Sequence, residues 1–171
     1  MYRALDVARY IINYMNDRKR SVTNLKLQKI LYYVQAAFLV EKSDHLPCFA
    51  ERIIAWQHGP VVCEVYNEFK KYGARDIPSQ DTVNRVVYRN GRLMIVRKDF
   101  SDAFLADCDR ELINDVVGGL MEYDAWTLVD HTHEEDPWQQ VPSCNEEITT
   151  ESMRAYFEDA ANRRRIYGYF D

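Results

Sequence analysis

Two stretches with helical spacing open the chain. In residues 3–16, apolar side chains recur at steps of three and four, while charged and amide side chains fall elsewhere, which predicts a helix with one buried face. Residues 25–42 are apolar on nearly every side, and such a helix belongs in the middle of a domain. The polar positions of this second helix are therefore either an exposed strip or buried and paired: Lys26, Gln28, Lys29 and Gln35.

The pattern changes between residues 83 and 96, where two runs rich in β-branched side chains flank Asn90-Gly91. Asn-Gly between such runs is the strongest short-range signal for a hairpin. Helical spacing then resumes over residues 106–123, and Asp124, followed later by Thr149 or Thr150, can cap two further helices. The pattern predicts a mainly α fold, which is a compact single helical domain around a buried central helix with one small β-hairpin. This domain covers residues 1–171, with the hairpin inserted at about 83–96 and a C-terminal tail at 163–171.

The stretch AWQHGPVVCEVYNEFKKYG, residues 55–73, joins a Trp, a His and a Gly-Pro pair to a helical stripe. Proline lacks an N–H and presets φ, so it suits the first position of a helix, and a preceding glycine allows a sharp turn. We therefore interpret Gly59 and Pro60 as a helix start, with His58 as its polar shoulder. In the alternative interpretation, the free N–H groups of the next two residues form an anion pocket with His58, although no nucleotide-binding motif accompanies them.

Composition and charge narrow the classes of function. A length of 171 residues and a hydrophobic content of 47% suit one folded domain. The formal net charge of −5 argues against a nucleic-acid partner, although Arg85, Arg89, Arg92 and Arg97 make the hairpin locally basic. There is no apolar run of ~18 residues to span a membrane, no secretory signal, and no zinc-finger spacing among the four Cys. We expect a cytoplasmic protein with reduced thiols.

Candidate chemistry is sparse. The segment HTHEED, residues 131–136, groups two His with three carboxylates, but His-x-His does not share a helix face and H-E-x-x-H is absent. We interpret it as a helix end that runs into a solvated turn. A small hydrolase that uses His58 with Cys63, or with His131 and His133, stays open as an alternative. We predict no catalytic residue, no metal ligand and no cofactor.

The closing segment RRRIYGYF is basic and aromatic. It is either a contact arm for a partner or a helix end whose arginines complement the helix dipole, followed by aromatic residues folded back onto the core. We favour the second interpretation.

Several stretches together resemble the Panacea domain family, which includes the SocA-like antitoxins and the phage-associated GepA-like proteins. They are ALDVARYII, LKLQKILYYVQAAFL, AWQHGPVVCEVYNEFKKYG, LVDHTHEEDPW and MRAYF, and they span about residues 4–157 in this order. The L-K-L-Q-K-x-L-Y-Y and A-W-x-x-G-P-V elements are the specific ones. The hairpin region and the last stretch after Phe157 do not carry the resemblance.

The resemblance implies an antitoxin that neutralises a cognate toxin protein by direct binding, often within a phage or mobile element. The alternatives it leaves open are an adaptor that delivers a toxin to a protease such as ClpXP, and a phage regulatory protein of the same fold. Because surfaces rich in Trp and Arg concentrate binding energy, we expect Trp56, His58 and Arg92 to bind the partner. The toxin's identity and the oligomeric state are not predicted.

Overall fold

A computed structural model of the chain describes residues 1–170, and Arg85 within that range by its backbone alone. Eight α-helices, one 3₁₀ turn and five β-strands make up this described range. In chain order they are α1 Ala4–Asp17, α2 Asn24–Glu41, β1 Ile53–Trp56, β2 Gly59–Val62, α3 Cys63–Phe69, the 3₁₀ turn Lys70–Tyr72, β3 Thr82–Arg89, β4 Arg92–Asp99, α4 Asp107–Leu120, α5 Ala125–His133, α6 Asp136–Gln139, β5 Glu147–Ile148, α7 Thr150–Phe157 and α8 Ala160–Arg165.

Helix α2 is the centre of the domain, as the sequence predicts. The Thr23 hydroxyl caps it by accepting a hydrogen bond from the Lys26 N–H at 3.3 Å. Every residue of α2 from Lys26 to Val40 is buried, because α1, α4, α5, α7 and strand β2 all pack against it. Among the described helices, none is long and apolar enough to cross a bilayer.

The polar residues of α2 are buried and paired rather than exposed. The Lys26 ammonium donates to the Met121 carbonyl at 2.6 Å. The Gln35 amide exchanges two hydrogen bonds with the backbone of Phe49, at 3.0 and 3.2 Å. Such pairing is required because an unsatisfied polar group costs free energy in a core. Gln28 and Lys29 are paired in the same way with β2, as described below.

The prediction of a mainly α fold with one small hairpin is wrong, because the chain forms a mixed α/β fold. Strands β2, β1 and β5 form a second, antiparallel sheet, in which Ile53 pairs with Val62 on one side and Ile148 on the other. Strand β5 has two residues and lies some ninety residues along the chain from β1. A two-residue strand that pairs over such a distance leaves no periodic pattern of apolar residues in the sequence from which it could be predicted.

The interpretation of Gly59 and Pro60 as a helix start is also wrong. Both residues lie in strand β2, and helix α3 begins only at Cys63. Pro60 is tolerated there because β2 is an edge strand of its sheet, where a missing N–H need not break a ladder bond. The missing N–H and the preset φ that suit proline to a first helical turn suit it equally to this edge.

The predicted hairpin is confirmed. Strands β3 and β4 pair antiparallel with Arg89 opposite Arg92. The two residues between them, Asn90 and Gly91, have φ values of 50° and 74°, as a two-residue hairpin turn of the primed type requires.

The C-terminal tail folds back onto the domain, as favoured from the sequence. The Tyr123 hydroxyl donates to the Gly168 carbonyl at 2.7 Å, and the ring of Phe170 lies 6.0 Å from that of Tyr33. Gly119 allows the approach, since a Cβ there would come within 2.3 Å of the Tyr167 carbonyl oxygen. The last residue of the tail, Asp171, lies outside the described residues.

Candidate partner-binding surface

The L-Y-Y and E-E-D elements meet at one buried carboxylate. Glu135 is fully buried, and its oxygens accept hydrogen bonds from the Tyr32 and Tyr33 hydroxyls, each at 2.9 Å. The Arg165 guanidinium donates to the same carboxylate at 2.9 Å. Burial raises the pKa of Glu135, although the Arg165 charge and these hydrogen bonds oppose the shift. Burial, together with the Glu135 charge, holds the pKa values of Tyr32 and Tyr33 well above their usual range.

This Glu135 cluster joins three segments that are far apart in sequence. Tyr32 and Tyr33 belong to α2, Glu135 precedes α6, and Arg165 ends α8. Arg165 also donates to the His131 carbonyl at 3.0 Å. Tyr32, Tyr33 and Glu135 are fully buried and Arg165 is half-buried, so the cluster stabilises the fold and places α6 and α8 against the central helix.

The Q-K pair of α2 holds strand β2. The Gln28 carbonyl oxygen accepts a hydrogen bond from the Val62 N–H at 2.9 Å. The Lys29 ammonium donates to the Pro60 carbonyl at 3.0 Å. The two specific motifs that carry the resemblance therefore bind each other, and side chains of α2 satisfy backbone groups of the strand. This contact explains how a short strand containing proline is held against a helix.

The side chain of Lys29 lies directly beneath Gly59 and Pro60 at the start of strand β2. Its side chain is fully buried, and burial lowers the pKa of its ammonium to about 7. Gly59 has a φ of 90°, and a Cβ there would lie 2.9 Å from the Lys29 Nζ and 2.7 Å from the Thr132 hydroxyl oxygen. Only glycine fits this position, because the backbone is left-handed and the space is already filled.

The predicted partner residues Trp56 and His58 lie at the β1–β2 turn: Trp56 ends β1, and His58 belongs to the turn. The Trp56 ring is half-buried against Tyr66, with centroids 4.8 Å apart, and its carbonyl accepts from the Trp138 indole N–H at 3.1 Å. The His58 ring is exposed and meets the ring of Trp126 edge to face at 5.2 Å. Trp126 is itself 57% exposed. His58 and Trp126 therefore form an exposed aromatic pair, while Trp56 serves mainly as packing.

Two of the candidate catalytic side chains, His131 and His133, stack on different aromatic rings. His131 stacks on Phe170 at 3.7 Å, whereas His133 stacks on Trp138 at 4.0 Å. Burial lowers the pKa of His133. Cys63 is half-buried at the start of α3. Within the described part of the chain, no group of three or more His, Cys, Asp or Glu side chains is arranged to hold a metal ion.

The most exposed apolar surface of the described chain is on the β3–β4 hairpin. Register places Val86 opposite Ile95 and Tyr88 opposite Leu93, and because side chains alternate along a strand, all four share one face. We name these four side chains the hairpin face. They are 67%, 72%, 74% and 74% exposed for Val86, Tyr88, Leu93 and Ile95, respectively.

The base of the hairpin is anchored and its distal half projects. Val83 is buried at the base, and the Phe100 N–H donates to the Asp81 carbonyl at 2.8 Å where the two strands leave the domain. The Arg97 guanidinium donates to the Thr82 hydroxyl at 2.9 Å. An isolated two-stranded hairpin is marginal in water, so this anchoring holds the projecting face in place.

The third predicted partner residue, Arg92, lies on this hairpin. It is exposed beside the Asn90-Gly91 turn. Among the described residues, no hydrogen bond, ion pair or ring contact joins it to Trp56 or His58. The structure therefore brings Trp56 and His58 to one turn and places Arg92 on a separate element.

Sequence reasoning noted the basic character of the hairpin and missed its apolar face. The signal was present, since apolar residues at alternate positions mark a strand face. Glu135 and Arg165 were missed as a pair because they lie thirty residues apart, and no local pattern connects them.

The family assignment follows from a family model described as Antitoxin SocA-like, Panacea domain, which matches residues 27–139. The chain belongs to this family. The matched range begins in α2, ends in α6 and spans both specific motifs. No match was found among curated proteins or among solved structures. Membership supports an antitoxin-like role that involves a protein partner.

Proposed function

We propose that this Panacea-domain chain is an antitoxin that neutralises a protein toxin by binding it directly. The observation that carries the proposal is the hairpin face, which projects four large apolar side chains into solvent. Large exposed apolar patches mark interaction sites in folded proteins. The family, whose description is antitoxin-like, supports a protein as the partner.

Binding requires no titratable machinery, because covering a toxin's active surface is sufficient to block it. The hairpin face supplies the apolar centre of the contact, and Arg92, which precedes Leu93 and lies on the opposite face of β4, supplies charge at the rim. We propose His58, with Trp126 beside it and Trp56 behind it, as a second and separate contact. Trp, Tyr and Arg are the residue types that most often dominate binding energy.

The proposed setting is a toxin–antitoxin pair in the cytoplasm, encoded side by side on a phage or another mobile element. In such a pair the antitoxin must reach the toxin soon after synthesis, so adjacent genes are the natural source of the partner. The toxin's own chemistry need not resemble anything in this chain, because the proposed interaction uses only surface.

Co-expression tests the proposal. The open reading frame on either side of the gene is induced alone and then together with this chain. We expect growth arrest by one neighbour alone and recovery with the chain present. A chain carrying Tyr88→Ser and Leu93→Ser should fail to restore growth, whereas Leu46→Ser, at a residue 51% exposed outside the hairpin, should restore it.

The level of the toxin during recovery separates blockade from delivery to a protease. Blockade predicts an unchanged amount of toxin that co-purifies with the chain. A toxin that disappears as growth recovers would instead indicate an adaptor, and the proposal of blockade would be wrong. If neither neighbour arrests growth, the antitoxin proposal fails.

A further inference from the structure

We infer that the outer edge of strand β4 binds its partner as an added β-strand, and that the partner contributes an extended segment rich in acidic and apolar residues. The inference deepens the proposed function and rests on it only for the partner's identity as a toxin. It names the mode of contact and the chemistry of the segment that is bound.

The first support is the direction of the backbone groups along β4. The bond from the Phe100 N–H to the Asp81 carbonyl fixes which pairs exchange hydrogen bonds, because bonded and non-bonded pairs alternate in an antiparallel ladder. By this alternation, Met94 and Val96 bond inward to β3. Leu93, Ile95 and Arg97 therefore direct their N–H and C=O groups away from the hairpin.

The second support is that this edge is open. Within the described residues, no third strand pairs with β3 or β4. Every residue of β4 except Val96 is exposed, while β3 begins with the half-buried Thr82 and the buried Val83. Both strands are edges of this two-stranded sheet, β4 is the more exposed of the two, and its unpaired backbone groups form a template for another strand.

The third support is that backbone and side chain act together here. Leu93 and Ile95 direct their backbone groups to the open edge and their side chains to the hairpin face. In strand addition, main-chain bonds supply affinity and alternate side chains supply specificity. A partner strand with apolar residues at alternate positions would extend the hairpin face and cover it.

Charge identifies the occupant. Residues 82–99 hold five basic residues and one acidic residue, in a chain whose formal net charge is −5. Arg92 stands directly opposite Arg89, and like charges in that position destabilise a sheet. A second copy of the chain would bring a second basic hairpin to the same edge. An acidic segment instead neutralises Arg92, Arg97 and Lys98, all of which are exposed.

Binding of short peptides to the full chain tests the inference without reference to any toxin. The probe is a fluorescent peptide of alternating glutamate and valine, compared with the same peptide carrying lysine for glutamate. A third peptide keeps the acidic sequence but has N-methyl groups on alternate residues, which removes its main-chain donors. We expect the acidic peptide to bind at least about tenfold more tightly than either of the others.

Two variants at one position separate backbone from side chain. Ile95→Pro removes an outward N–H that β3 does not use, and proline is tolerated at a strand edge. Ile95→Thr keeps the N–H and removes apolar surface. We expect Ile95→Pro to weaken the acidic peptide about tenfold or more, and beyond the effect of Ile95→Thr. If Ile95→Pro unfolds the hairpin, the N-methylated peptide still tests the edge, because the protein is then unchanged.

Several outcomes would overturn the inference. They are equal binding of the acidic and basic peptides, equal binding of the N-methylated peptide, no binding of the acidic peptide, or a dimer of the free chain that Ile95→Pro dissociates. The co-expression experiment distinguishes the failures. If the wild-type chain rescues growth and Ile95→Pro rescues it equally, the inference falls and the antitoxin proposal stands. If no neighbour is toxic but the acidic peptide binds as expected, the antitoxin proposal falls and the inference of strand addition stands.

Discussion

The buried ammonium of Lys29 donates a hydrogen bond to the carbonyl oxygen of Pro60 at 3.0 Å. Through this bond the central helix holds strand β2, which contains Gly59 and Pro60. It joins the two motifs by which the chain resembles the Panacea family. The contact lies wholly inside the protein, so we expect these motifs to govern stability and leave partner choice to the surface.

Lys29 makes stability depend on pH. Its pKa falls from 10.5 to about 7 on folding, so between these values the unfolded chain binds more protons than the folded chain. The free energy of unfolding therefore rises with pH above about 7, and this contribution is lost as pH falls towards 7. Between pH 7 and pH 9 we expect a rise of about 2 kcal/mol from this group.

The variant Lys29→Met isolates the effect, because it removes the titrating group and keeps a similar length. Urea unfolding of both proteins at pH 7 and pH 9 gives the change in unfolding free energy with pH for each protein. The difference between these two changes isolates Lys29, because the contributions of the other titrating groups cancel. An equal pH dependence in wild type and variant would contradict a lowered pKa for Lys29.

Gly59 is predicted to be irreplaceable. In Gly59→Ala the new methyl group meets the Thr132 hydroxyl and the Lys29 side chain at a positive φ, so we expect a loss of about 2 kcal/mol or more. Gly118→Ala is the matched control, since nothing lies within 4 Å of its Cβ position and it is exposed in a helix. The control should gain about 0.5–1 kcal/mol. Thermal unfolding checks both predictions: relative to wild type, the midpoint temperature should fall for Gly59→Ala and rise for Gly118→Ala.

The Glu135 cluster predicts unequal effects at neighbouring positions. Glu135→Gln removes the charge that pairs with Arg165 inside the protein, and we expect a loss of about 2–4 kcal/mol in unfolding free energy. Glu134 also contacts Arg165, at 3.2 Å, but its side chain is 62% exposed. Glu134→Gln should therefore cost less than about 1 kcal/mol. Equal losses in urea unfolding would show that burial of Glu135 does not matter.

The hairpin face should affect binding and leave stability unchanged. Because Tyr88 and Leu93 are mostly exposed, replacing both with serine should change the free energy of unfolding by less than about 0.5 kcal/mol for each site. Affinity for a partner should fall by about 2 kcal/mol or more, as expected for central contacts. Calorimetry of unfolding and of binding on the same sample measures both. A destabilised variant would mean that the face packs against the domain.

The elements that sequence reasoning predicted correctly have local causes. Thr23, Asp124 and Thr149 cap α2, α5 and α7 through their own side chains. Asn90 and Gly91 adopt the turn that their residue types favour. In each case the signal and the structure it produces lie within a few residues of each other.

The elements that it missed depend on distant partners. Gly59 and Pro60 became a strand because the Gln28 amide and the Lys29 ammonium bind that strand from another helix. Strand β5 exists only as a partner of Ile53 and Ile54. Long-range contacts of this kind override local preference, and one sequence gives no sign of them.

Only part of the candidate surface could be predicted from the sequence. The hairpin and its basic charge could be predicted, but exposure could not, since alternating apolar residues usually indicate a buried face. The anchor residues show the same limit. Trp56 was predicted to contact the partner because of its residue type, but in the structure its ring packs on Tyr66. The exposed Trp126 was not among the predicted contact residues.

Amide hydrogen exchange along β4 tests the central claim most directly. In the free chain the N–H groups of Leu93, Ile95 and Arg97 should exchange rapidly, while those of Met94 and Val96 are slower because they bond to β3. In the complex with the neighbour-encoded protein, the account predicts that the three rapid amides become protected. If they exchange at the free rate while protection appears around His58 and Trp126, the hairpin is not where the partner binds.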